Sequence, residues 1–172
     1  MEDILVSIIG IAIAAILMFI FPLITMSDRT DDISQLTVEI ATNEFVDDIR
    51  QSGKITPERY NKFVQNIGST GNTYNIQMEV RILDKNPSRK VVENTRMTSE
   101  NVYYSVYNSQ IEKILSESKD YYLKEGDIVT VSVNNSNQTI SQQLKNFFYK
   151  VVGEDTYTIA SSHGGMVTAT GR

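Results

Sequence analysis

Residues 4–26, ILVSIIGIAIAAILMFIFPLITM, run for 23 positions without a charged side chain. At about 1.5 Å per residue a helix of that length covers about 35 Å, enough to cross the hydrocarbon core of a bilayer. A cleaved secretory signal needs a basic start, a shorter apolar stretch and small residues at its end. Here Met1, Glu2 and Asp3 precede the run, and Phe19, Ile20, Phe21 and Pro22 lie near its end. The run therefore reads as an uncleaved membrane helix. Its orientation is not set by charge, because the nearest following base, Arg29, sits among Asp28, Asp31 and Asp32.

Two features inside the span point beyond anchoring. Ser7, Gly10 and Ala14 or Ala15 fall near one helical face, the small-xxx-small pattern that lets helices approach closely. Pro22 lacks an N–H and clashes with the carbonyl four residues earlier, which predicts a loosened or kinked helix around Met18.

Helical periodicity continues from Ser27 to about Ser52. Ile33, Leu36 and Ile40 lie on one side, whereas Val38, Ala41, Phe45 and Ile49 lie about 150° round the axis. Two stripes suit a helix gripped on two sides, by its own domain and by something else. A local bend that makes one stripe drift is the alternative. The division expected is thus a span at 1–26, an amphipathic stem at 27–52 and a globular domain at 53–172.

In that domain Gly53 reads as a stop, Thr56 as a helix cap and Pro57 as a first helical residue. Tyr60, Phe63, Val64 and Ile67 make an apolar face ending at Gly68. Tyr74 to Ile82 alternates strictly, as a half-buried strand does. A polar loop from Asp84 to Lys90 leads to a short strand at Val91-Val92. The spacing of Tyr104, Tyr107, Ile111, Ile114 and Leu115 predicts a helix over 100–118. Val129, Val131 and Val133 mark a second strand, and Ile140, Leu144, Phe147, Phe148 and Val151 an amphipathic helix over 138–152. Final strands are expected at 156–161 and 166–170, around a turn at His163-Gly164-Gly165. The fold class is α+β, with helices on one face of a mainly antiparallel sheet.

Composition removes several kinds of chemistry. With no cysteine there are no disulfides, thiolate zinc sites, iron–sulfur ligands or cysteine nucleophiles. Sixteen basic against 21 acidic side chains argue against a nucleic-acid partner. His163 is the one histidine; Ser161, Ser162 and Asp155 lie near it in sequence, but a triad also needs an oriented base and an oxyanion hole. Asp28, Asp31 and Asp32 lack the glycine and terminal glutamate of an EF-hand loop. No metal, cofactor or catalytic residue is therefore assigned.

An apolar helix that continues as an amphipathic one and leads into a small α+β domain resembles the pilins and pseudopilins of type IV-like filaments. The segments FVDDIRQSGKIT (45–56), STGNTYNIQ (69–77), ENVYYSVY (100–107), QTISQQLKNFF (138–148) and ASSHGGMVTATG (160–171) are similar to pilin-like proteins of tight-adherence pilus gene clusters in Firmicutes. The resemblance implies a non-enzymatic structural subunit or minor component of an extracellular filament. Its partners would be copies of itself, other pilin-like subunits, the pilus assembly machinery and, before assembly, membrane lipid. It would start in the cell membrane with an extracytoplasmic domain. Glu2, Asp3, Ser7, Gly10, Ala14 and Pro22 would lie in the packed helix. Type IV pilins carry a glutamate five residues into the mature helix; this chain has Leu5 there, leaving Glu2 or Asp3 for that part. Without a basic leader, either Met1 is the mature start or the chain is an unprocessed membrane partner. A monomeric anchored binding or sensor domain is the alternative function.

Charge is segregated as well. Residues 28–48 hold seven carboxylates against Arg29, whereas 81–96 hold Arg81, Lys85, Arg89, Lys90 and Arg96 against Asp84 and Glu93. Solvated helix and loop charge would look the same. The functional expectation is that Asp28, Asp31 and Asp32 of one subunit lie against Arg89, Lys90 and Arg96 of its neighbour.

Overall fold

The computed structural model describes residues 2–84, 103–149 and 158–171. Helix α1 (Glu2–Ser52) is 51 residues long, roughly 75 Å, and joins the apolar span to the stem in one piece. It passes through Pro22 and Met18 without ending: a proline removes one hydrogen bond, and the turns on either side keep theirs.

Strand β1 (Lys54–Ile55) and helix α2 (Pro57–Gly68) follow, then β2 (Tyr74–Leu83), β3 (Tyr103–Tyr107), α3 (Asn108–Ser116), β4 (Tyr121–Tyr122), β5 (Ile128–Asn135), α4 (Ile140–Tyr149) and β6 (Ala160–Met166). The main sheet is antiparallel in the order β3-β2-β5-β6, and β1 pairs with β4 apart from it. The chain has a long apolar N-terminal helix and an antiparallel sheet with helices, an α+β arrangement.

The upper half of α1 lies along one sheet face. Val38, Ala41, Phe45, Val46 and Ile49 are buried against Met78 and Val80 of β2 and Val129, Val131 and Val133 of β5, within a single apolar core. Helix α2 closes that core from the side. Thr56 Oγ1 accepts from Arg59 N–H and Pro57 occupies the first turn, as the sequence predicts. Phe63 of α2 stacks on Phe45, with ring centroids 4.5 Å apart.

Two elements differ from the sequence reading. Residues 103–107 form a strand instead of the first turns of a helix, with Tyr103 opposite Leu83 and Tyr107 opposite Glu79. Tyr-Tyr-Ser-Val-Tyr suits a pleated surface, and its fit to a helical repeat was coincidental. The helix starts at Asn108, where Gln110 Oε1 accepts from Tyr107 N–H. Similarly, His163-Gly164-Gly165 is not a turn but the middle of β6. A Cβ on Gly165 would lie 2.6 Å from Arg50 Nε, and one on Gly164 2.8 Å from Thr130 Oγ1. The glycines admit close neighbours in a continuous strand. The two final strands expected at 156–161 and 166–170 are replaced by this one strand: 158–159 and 167–170 are not in a strand. The expected strand at Val91-Val92, Val151 and residues 156–157 lie outside the described residues, as do the side chains of Leu144, Phe147 and Phe148.

Candidate functional site

The outward face of α1 is the surface that the fold leaves without a partner among the described residues. Every side chain from Asp3 to Phe19 is exposed, Ser7, Gly10 and Ala14 included. Ser7 Oγ donates to Asp3 O at 2.8 Å, so its hydroxyl is satisfied within the helix. A Cβ added to Gly10 would meet nothing within 4 Å, which leaves an open notch at the small-residue face. Pro22 is also exposed.

The two stem stripes separate as their spacing predicts. Val38, Ala41, Phe45 and Ile49 are buried, while Ile33, Leu36 and Ile40 are 65%, 57% and 48% exposed. The exposed stripe continues the apolar surface past the end of the uncharged run. Its carriers stand seven to fourteen residues beyond Met26, about 10–20 Å along the axis.

The stem acids have a different arrangement from the one expected. Asp31 is 7% exposed and accepts from Thr139 Oγ1 at 2.6 Å; Asp28 accepts from Ser141 Oγ. Thr139 also caps α4: its Oγ1 accepts from Gln142 N–H at 3.2 Å, and Gln142 Oε1 accepts from Thr139 N–H at 3.0 Å. A carboxylate at this helix N-terminus meets hydroxyl donors and the positive end of the helix dipole. Both residues therefore face their own domain, which corrects the expectation that all three acids point at a neighbour. Asp32 is exposed. Arg89, Lys90 and Arg96 lie outside the described residues.

Two side chains of α1 also hold the outer edge of β6. Gln35 Nε2 donates to Ala160 O at 2.8 Å and its Oε1 accepts from Ala160 N–H at 3.0 Å. Arg50 Nε donates to Met166 O at 3.0 Å, and Arg50 O accepts from Thr168 N–H and Oγ1. Neither role was read from the sequence, since Gln35 and Ala160 are distant along the chain and carry no local signal.

His163 Nε2 lies 3.7 Å from Asp47 Oδ1, which already accepts from Arg50 at 2.7 Å. Ser162 Oγ is hydrogen-bonded to Ser132 Oγ at 2.8 Å on the other face of β6, and Asp155 lies outside the described residues. Among the described residues no serine is hydrogen-bonded to His163, and no three carboxylate or histidine side chains converge as metal ligands do. The groove between α1 and α2, about 440 Å³, is bottomed by Phe45 and Phe63 and rimmed by Glu44, Asp48, Arg59 and Lys62.

Two tyrosines are electrostatically displaced. Burial, then a 2.9 Å hydrogen bond to Glu112 and its charge, push the Tyr60 hydroxyl well above the usual tyrosine range. Burial, then Tyr104 and Asp127, raise that of Tyr121. Comparison with protein-family models, curated proteins and solved structures gives no match.

Proposed function

We propose that this chain is a membrane-anchored structural subunit, or minor component, of an extracellular type IV-like filament of the tight-adherence kind. Residues 4–26 hold it in the bilayer before assembly, with the domain outside the cytoplasm. Extraction then exchanges lipid for equivalent helices of other copies and of other pilin-like subunits, with help from an assembly machinery. The role is mechanical and needs no catalytic group.

The observation that carries this reading is the exposed stripe Ile33, Leu36 and Ile40. Span helices gain no hydrophobic free energy from one another while lipid surrounds them, so small residues such as Gly10 and Ala14 serve fit more than driving force. The stem stripe is different because it stands in water. Covering its exposed portions contributes on the order of 1 kcal/mol per side chain. A simple anchor has no use for such a stripe, whereas a bundle of staggered helices buries it.

Electron microscopy of sheared cell-surface material, with this chain labelled by antibody, tests the proposal. Labelled filaments are expected. A chain recovered only as dispersed molecules in the membrane contradicts it and favours an anchored binding or sensor domain.

A further inference from the structure

The end of the domain nearest the span differs in chemistry from the rest. Residues 63–78 and 128–144 contain no charged side chain. The fold brings the turns of these two segments together. Ser136 N–H donates to Thr73 O at 2.8 Å, Thr73 N–H to Asn137 Oδ1 at 2.9 Å, and Asn137 Nδ2 to Asn72 Oδ1 at 3.0 Å. Charges gather instead at the far end, around the Lys54–Asp120 and Lys119–Glu117 ion pairs.

The height of this uncharged end is fixed by hydrogen bonds. Thr139 is tied to Asp31 and Ser141 to Asp28, so Ile140 sits between two anchors on α1. Asp28 and Asp31 follow Met26 by two and five residues, about 3 and 8 Å along the helix axis. The headgroup layer on each side of a bilayer is roughly 5–7 Å deep. With residues 4–26 filling the hydrocarbon core, Ile140 falls at the depth of that layer; it is 69% exposed.

Ile140 stands exposed beside amides and hydroxyls, with no charged side chain in its own segment. At a lipid surface the same set is well matched. The apolar side chain enters the acyl boundary, and uncharged polar groups hydrogen-bond among headgroups without the cost of bringing charge to a low dielectric. At this end the carboxylates of Asp28 and Asp31 are turned toward the Ser141 and Thr139 hydroxyls; Arg29 and Asp32, of opposite sign, stay exposed on α1.

We infer that Gln138 and Ile140, on either side of the buried Thr139, form a second, shallow contact with the membrane, so that the domain rests on the lipid surface at a fixed tilt beside its own span. The inference depends on residues 4–26 crossing a bilayer, and not on filament assembly. Leaving the membrane then requires breaking this contact as well as extracting the helix.

The chain contains no tryptophan, so single substitutions report position directly. The full chain would be reconstituted into phosphatidylcholine vesicles with brominated acyl chains, carrying Ile140→Trp, Ile16→Trp in the span, or Tyr122→Trp at the far end. Loss of fluorescence is expected for Ile16→Trp and Ile140→Trp, with blue-shifted emission at both, and none for Tyr122→Trp. Gln138→Trp, in the exposed turn, should show intermediate loss and substitutes if Ile140→Trp misfolds. Quenching at position 16 with none at 138 or 140 overturns the surface contact alone. Absence of quenching at position 16 overturns the membrane reading on which it stands.

Discussion

Asp31 and Thr139 meet through a 2.6 Å hydrogen bond across 108 residues of sequence. One carboxylate of the stem thereby positions the start of α4, because the same Thr139 hydroxyl oxygen accepts from Gln142 N–H. The domain is tied to α1 just above the apolar run as well as through the core higher up.

Removing that tie should loosen α4 without unfolding the core. Asp31→Ala leaves the buried Thr139 hydroxyl without its acceptor and should cost about 1–3 kcal/mol. Denaturant titration of the full chain in micelles reads the loss. A change below about 0.5 kcal/mol would show that water replaces the carboxylate at no cost.

The Phe45–Phe63 stack joins α1 to α2, and both side chains are buried. Phe63→Ala should cost about 3–5 kcal/mol, a large part of the stability of a small domain. The same titration checks it; a loss under about 1 kcal/mol would mean that α2 is not clamped by this contact.

Gly53 has φ +67°, and a Cβ there would lie 2.3 Å from Ala169 O and from Gly171 N. Gly53→Ala adds left-handed strain of about 1–2 kcal/mol to a clash with backbone that cannot turn aside. The expected result is a destabilised protein whose C-terminal residues exchange amide hydrogens faster. Unchanged exchange at 167–171 would contradict the contact.

Tyr60 gives the pH dependence a definite sign. Its hydroxyl ionises well above the ordinary value of 10.0, so the folded state keeps a proton that the unfolded chain releases. The stabilisation is complete below about pH 10 and declines as pH rises from there toward the folded value. Unfolding curves at pH 8 and pH 11 should show the wild type losing stability and Tyr60→Phe losing less. Equal losses in the two proteins would remove Tyr60 as the source.

Much of this fold was legible because its signals are local. Thr56, Pro57 and Gly68 bound α2, strict alternation marks β2 and β5, and the two stripes of the stem separated into one buried and one exposed. What stayed hidden depends on distant partners. Gly164 and Gly165 look like turn residues until Thr130 and Arg50 are seen against them. Tyr104 and Tyr107 match a helical repeat, yet they pair with β2. Asp28 and Asp31 look like the other carboxylates of the stem, and nothing near them in sequence points to Ser141 and Thr139. The uncharged segments 63–78 and 128–144 acquire meaning when the topology places their turns at one end.

The most direct test of assembly through α1 is the Gly10→Leu/Ala14→Leu double variant, followed by fractionation of cells into membrane and sheared surface filaments. The wild-type chain should appear in both fractions. The variant should be retained at normal levels in the membrane and missing from filaments, because the bulkier side chains fill the notch that close helix packing needs. Filaments containing the double variant at wild-type abundance would contradict packing through this face.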